Sequence, residues 1–206
     1  MIAGATAGPL DGAPGGHALR LPGGGASATV GAPGDLNFGT GGLSIAVWVR
    51  TTMRGFGRIV TKGSFGWTPG YFLSVGHGGD GHLGFGVGGG ASWGAGGSIE
   101  TTTAQALVND GGWHHVCATY DGDAGEVRLY VDGLARPLQA RGGTDGRVFG
   151  DILRVRDTTP AIGSSPLALT VGSHLGRQEV FVGDLADLRL FGRGLAPGAV
   201  AALARR

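Results

Sequence analysis

The stretch Gly111 to Pro137, GGWHHVCATYDGDAGEVRLYVDGLARP, packs two adjacent histidines, the only cysteine and four acidic residues into twenty-seven positions. Those residue types could build a catalytic or metal-binding cluster. They could equally be two strands and their turns, and the spacing favours the strands. Cys117 alternates with His115 and Thr119, which suits a small residue in or near a core. YDGDAGE holds the aspartates and glycines that a tight hairpin turn requires, and EVRLYVDG reads as the returning strand.

The same pattern extends outward. From Ala18 onward, apolar residues alternate with polar ones, and glycine breaks the run roughly every eight to twelve residues, as many short antiparallel strands would. In LSIAVWVRT, Leu43, Ile45, Val47 and Val49 point to one face while Ser44, Ala46, Trp48 and Arg50 point to the other. Further strands are expected at GRIVTK, GYFLSVG, HLGFGVG, LALTVGS and VFVGDLADLRLFG. The tail LAPGAVAALARR is the one expected helix, with Pro197 in its first turn. This predicts an all-β fold, two antiparallel sheets packed face to face, with a short C-terminal helix.

Length and composition agree with one domain of 206 residues. Forty-six glycines would suggest disorder in a polar chain, but 41% of the residues are hydrophobic, so the glycines belong to turns. A formal charge of +1 is too balanced for a nucleic-acid footprint. Cys117 has no cysteine partner within the chain. The opening MIAGATAGPLDGAPGG has no basic n-region or apolar h-region, and no run is long enough to insert in a membrane, so a soluble domain is expected. Residues 1–17 read as a lead-in and 18–206 as the domain, with Leu10 able to tuck against it.

GGLSIAVWVRT, GRIVTKGSFGWTPGYFLSVG, the Gly111–Pro137 block and LTVGSHLGRQEVFVGDLADLRLFGRGLAPGAVAAL, together with HALRLPGGGASATVGAP, resemble the laminin-G-like, concanavalin-A-like jelly-roll family. The resemblance implies a jelly roll with Trp113, His115, Tyr120, Tyr130 and Gly133 as scaffold, and with Asp121 and Asp132 forming turns. It also implies recognition of a carbohydrate or a protein surface and an extracellular or surface-exposed setting. Many relatives hold a structural calcium with a closing aspartate. Here Gly183, Asp184, Leu185, Ala186 and Asp187 put alanine at that place, and Pro22–Gly23 stand where an aspartate-glycine pair is common. Asp187 is left as the candidate metal ligand, with calcium disfavoured and no cofactor expected.

The fold also carries retaining glycoside hydrolases, which need two carboxyl groups on one strand face. Glu100, Glu126 and Glu179 are the only glutamates, and none has an acidic residue on the same strand face within four positions. The chain is therefore expected to be no enzyme. His77 and His82 flank GGDG, so a hairpin would bring them together with Asp80 at its tip, a possible transition-metal site or a solvated loop. Trp67 and Tyr71 around SFGWTPGY, and Trp93 in GGGASWGAGG, are candidate contact aromatics. Trp48 is expected under a loop.

Two readings follow. A lectin-like module would use Trp67, Tyr71, Trp93, His77 and His82 as its ligand-binding set. A structural or adhesive subunit would self-associate through its loops, with the 139–166 segment and its charges at Asp145, Arg147, Asp151, Arg154, Arg156 and Asp157 as contact surface.

Overall fold

The structure is a computed structural model, and it describes residues 2–32, 34–39, 41–63, 70–88, 98–105, 107–140, 148–154 and 165–205. Among these, the strands form two antiparallel sheets. The nine-stranded sheet runs β1 (Ile2–Ala3), β4 (Ser27–Val30), β16 (Leu169–Val171), β6 (Gly57–Lys62), β7 (Gly70–Val75), β8 (Leu83–Gly88), β9 (Ser98–Thr103), β13 (Leu138–Ala140) and β14 (Val148–Phe149). The eight-stranded sheet runs β12 (Leu134–Ala135), β11 (Glu126–Val131), β10 (Trp113–Asp121), β5 (Gly42–Arg50), β17 (Gly183–Phe191), β3 (His17–Leu21) and β2 (Thr6–Pro9). Its eighth strand, β15 (Leu153–Arg154), lies off this path and pairs with β11.

The core lies between the sheets and follows from strand parity. Leu43, Ile45, Val47 and Val49 are fully buried, and register sets Val116 opposite Val47, Ala118 opposite Ile45 and Tyr120 opposite Leu43. Each such side chain contributes roughly 1.5–3 kcal/mol by leaving water. On the other face of the same strands, Ala46, Cys117 and Tyr130 receive Val200 of α1 (Pro197–Leu203). The Gly111–Pro137 block is therefore a structural hairpin. At its turn, Asp121 Oδ1 accepts hydrogen bonds from the backbone amides of Asp123 and Ala124, both at 3.0 Å. Asp132, at φ 54°, accepts from His115 N through its own Oδ1.

Residues 2–17, expected as a lead-in, instead contribute strands to the sandwich. β1 pairs with β4 and β2 pairs with β3. The turn between β2 and β3 lays Leu10 and Ala13 against Trp48, Trp113 and Ala186, so Trp48 does lie under a loop. Short spacing and glycines concealed these strands, because β1 and β2 are too brief to show alternation. Among the described residues no helix is long and apolar enough to cross a membrane.

Candidate functional site

The outward face of the nine-stranded sheet is built from two cross-strand rows. One runs Thr29, Thr170, Thr61, Phe72, Gly86 and Glu100. Its neighbour runs Arg58, Ser74, Gly84, Thr102 and Gln139. β8 has Leu83, Phe85 and Val87 facing the core, so its outward positions are Gly84, Gly86 and Gly88. These glycines are buried, and neighbouring side chains take the room they leave between β7 and β9. A Cβ on Gly86 would run into the Phe72 ring, and one on Gly84 would lie 2.5 Å from His77 Cβ. Two large side chains thus lie low across the sheet because β8 offers nothing to block them.

Buried charges gather on this face, away from the apolar core. A register shift in β6 between Arg58 and Val60 lets Ile59 and Val60 both enter the core and leaves Arg58 outward, 2% exposed. Its Nε donates to Glu179 Oε2 at 2.6 Å, and its amide donates to the Glu179 carbonyl at 2.8 Å. The guanidinium sits 3.8 Å from the Phe72 ring centroid and 5.2 Å from that of Phe56, a cation–π arrangement. His77 pairs with Glu100, and its ring lies 4.7 Å from Phe56 and 5.6 Å from Phe72. His174 Nδ1 is 3.7 Å from Glu179 Oε2. Burial and the Arg58 cation hold His174 below its usual pKa, against the opposing pull of Glu179. Phe72 is 0% exposed and Arg58, His77 and Thr102 are each 2% exposed, so these charges and rings pack against one another as a buried polar layer over the strands.

The anticipated residues fare unequally. Trp67 and Trp93 lie outside the described residues, as do Asp145, Arg147, Arg156 and Asp157. The strand ends that flank the two tryptophan segments, Lys62 and Gly70 for one and Gly88 and Ser98 for the other, are neighbours at one end of the sheet. Tyr71, expected as a contact aromatic, is instead a core residue: it is 1% exposed, its hydroxyl donates to Leu36 O at 3.0 Å, and burial pushes its pKa up. His77 and His82 do not form a pair. His77 turns to Glu100, His82 Nδ1 contacts Thr103 O at 2.6 Å, and Asp80 Oδ1 accepts from Gly55 N at 2.7 Å. The polar atoms of the hairpin tip brace neighbouring loops.

Asp187, the candidate metal ligand, is engaged by a neighbouring side chain. Its Oδ1 accepts from Arg189 Nε at 2.9 Å, and among the described residues no group of three or more His, Cys, Asp or Glu could hold a metal ion. In the 139–166 segment, Arg154 pairs with Glu126 at 2.9 Å, an exposed ion pair that contributes little.

Sequence reasoning missed Arg58, Phe72, Glu100, His174 and Glu179 as members of one face. Phe72 and Glu100 were reachable through parity, since each alternates with core residues. A second polar group was also missed. His114 Nδ1 lies 2.9 Å from Asp132 Oδ2 and its Nε2 lies 3.1 Å from Asp110 Oδ1. Burial pulls its pKa down, but the hydrogen bonds to Asp132 and Asp110 win and hold it above the usual histidine value.

Comparison with known proteins identifies the family. The model of Laminin_G_3, the concanavalin A-like lectin/glucanases superfamily, matches residues 22–201, and the chain belongs to that family. Pentraxin-4 of Homo sapiens is 35% identical over 101 residues, which are 48% of this chain and 19% of that protein. The match therefore spans about a fifth of that relative's length. Two solved structures share the fold. The binding domain of botulinum neurotoxin DC in complex with SialylT has a TM-score of 0.62 at 14% identity, covering 98% of this chain and 45% of that one. Domain 4 of AbnA, a GH43 extracellular arabinanase from Geobacillus stearothermophilus, in complex with arabinotriose, has a TM-score of 0.60 at 16% identity, covering 98% of this chain and 82% of that one.

Proposed function

We propose that this member of the concanavalin A-like superfamily is a non-catalytic recognition module that binds an oligosaccharide at the end of its nine-stranded sheet from which the segments carrying Trp67 and Trp93 leave the strands. The observation that carries the reading is that the strand ends flanking those segments, Lys62 and Gly70 for one and Gly88 and Ser98 for the other, are neighbours at that end of the sheet. A sugar has one apolar face and a rim of hydroxyls, so an aromatic ring beside fixed hydrogen-bonding groups matches it. The carboxylates of the outward face support a binding role over hydrolysis: Glu100 is engaged by His77 and Glu179 by Arg58, whereas a retaining hydrolase keeps two carboxyl groups about 5 Å apart across the substrate. An extracellular or surface-exposed setting goes with this reading, as it does for the arabinanase.

Trp67 and Trp93 are the contact residues of this proposal, because their segments join strands at that end. A glycan array probed with the parent chain, Trp67→Ala and Trp93→Ala tests it. The parent is expected to bind a defined oligosaccharide class and each variant to bind it at least tenfold more weakly, with an unchanged thermal midpoint. Binding that survives both substitutions at full strength would remove the tryptophans, and an array without a hit would remove the glycan reading.

A further inference from the structure

Away from that face, the two sheets part along one side of the sandwich and leave a cleft of about 470 Å³. Ala28 and Val30 of β4 and Val171 of β16 form one wall, and Ala7 of β2 with Leu185 and Leu188 of β17 form the other. Two features of the chain open it. The exposed Ala7 on one wall and Ala28 on the other supply small side chains where the rest of the interior has Val, Leu and Phe, whereas Ala18 packs on the other face against Trp48 and Trp113. The β17 ladder also breaks: β3 pairs with it only as far as Leu185, and the register against β5 shifts between Ala186 and Arg189, with Asp187 at φ 50°. A non-glycine residue in that conformation carries strain that the surrounding structure must hold, and such residues gather at ligand sites. The bulge keeps β17 from closing against the start of β3, so His17 and Asp187 border the opening.

We infer that this cleft binds the aliphatic chain of a single-tailed amphiphile whose head group is polar but uncharged. Among the described residues that line it, His17 and Asp187 alone are polar, so a sugar ring or peptide pushed inside would lose hydrogen bonds to water without replacement. An apolar chain loses nothing there, and even an apolar cavity of about 150 Å³ takes up benzene. The volume falls in the usual range of small-molecule sites, roughly 300–1,000 Å³. Charge at the opening selects the head. Asp187 is ion-paired with Arg189 at 2.9 Å, so the pair has no net charge to offer, and the His17 imidazole beside it suits a hydroxyl. Val30, 44% exposed, extends the apolar wall to the surface where the tail would enter.

The test titrates the chain with octyl glucoside below its micellar concentration, with glucose and with octanoate, following methyl resonances by NMR. Octyl glucoside is expected to shift Ala7, Ala28, Val30 and Leu188 saturably, glucose to leave them unmoved, and octanoate to bind at least tenfold more weakly. Ala28→Leu, which fills the cleft, and Val30→Asp, which charges its exposed wall, are each expected to weaken octyl glucoside at least tenfold while the chain still unfolds in one cooperative transition. Unmoved methyls, or equal binding by the parent and both variants, would overturn the site. Octanoate binding as tightly as octyl glucoside would overturn the uncharged head. Because none of the cleft's lining residues belongs to β6, β7, β8 or β9, whose ends flank the Trp67 and Trp93 segments, loss of glycan binding there leaves this result standing, and the converse holds.

Discussion

Replacing Glu179 with Gln removes one charge from the Arg58 pair while keeping side-chain length and the positive-φ backbone. Arg58 is 2% exposed, and its Nε lies 2.6 Å from the Glu179 carboxylate. Breaking a fully buried ion pair costs roughly 3–5 kcal/mol, because the remaining charge stays out of water. Here the cost is reduced, since Glu179 is 33% exposed, the rings of Phe72 and Phe56 still face the guanidinium, and the glutamine oxygen can still accept a hydrogen bond. The expected loss is about 2 kcal/mol. For a domain of this size that lowers the thermal midpoint by roughly 4–8 °C. Arg58→Met, which keeps the stem between the aromatic rings and discards the charge, should make Glu179→Gln nearly harmless in the double variant. Calorimetry on the four proteins gives the coupling, expected at about 1–2 kcal/mol. A single variant within about 0.5 kcal/mol of the parent, or additive costs in the double variant, would refute the account of Arg58 as a buried charge held by Glu179.

Three further outcomes are expected. His114, with its pKa raised between Asp132 and Asp110, contributes stability that is complete below the unfolded histidine value, about 6.5, and is lost as pH rises through the higher folded value; His114→Gln should flatten that part of the stability–pH curve measured by denaturant unfolding. Gly86→Ala drives a methyl group into the Phe72 ring and should cost about 1–3 kcal/mol, with the Phe72 resonances displaced; an unchanged midpoint and unmoved Phe72 would contradict the described packing. Cys117 is buried on the face covered by α1 and its pKa is pushed up to about 12, so a thiol reagent at neutral pH should modify it only at the rate of unfolding, as mass spectrometry against denaturant would report.

The sandwich was legible because β5 and β10 alternate cleanly, so Leu43 to Val49 and the Trp113–Asp121 strand assign their own faces. The plain reading of the Gly111–Pro137 hairpin stands for Cys117, Asp121 and Asp132. It fails in part for His114, whose second partner, Asp110, precedes the strand and contacts it only once the chain turns at Gly111 and Gly112. Tyr71 misled because its neighbours Trp67 and Pro69 suggested an exposed loop, although it shares parity with Leu73 and Val75 in the core. The charged face was the least legible feature. The β6 bulge hides the parity of Arg58, and Glu179 and His174 reach it from a loop more than a hundred residues away, which no local pattern encodes.

The most direct test of the central claim is an NMR titration with the best oligosaccharide from the array, mapped onto the assigned backbone. Binding at the Trp67 and Trp93 end of the nine-stranded sheet predicts saturable shifts at the flanking strand ends, including Lys62, Gly70, Gly88 and Ser98, with β10, β11 and α1 unmoved. Shifts confined to the eight-stranded sheet or to the helix would contradict the claim and move the recognition surface to the other side of the molecule.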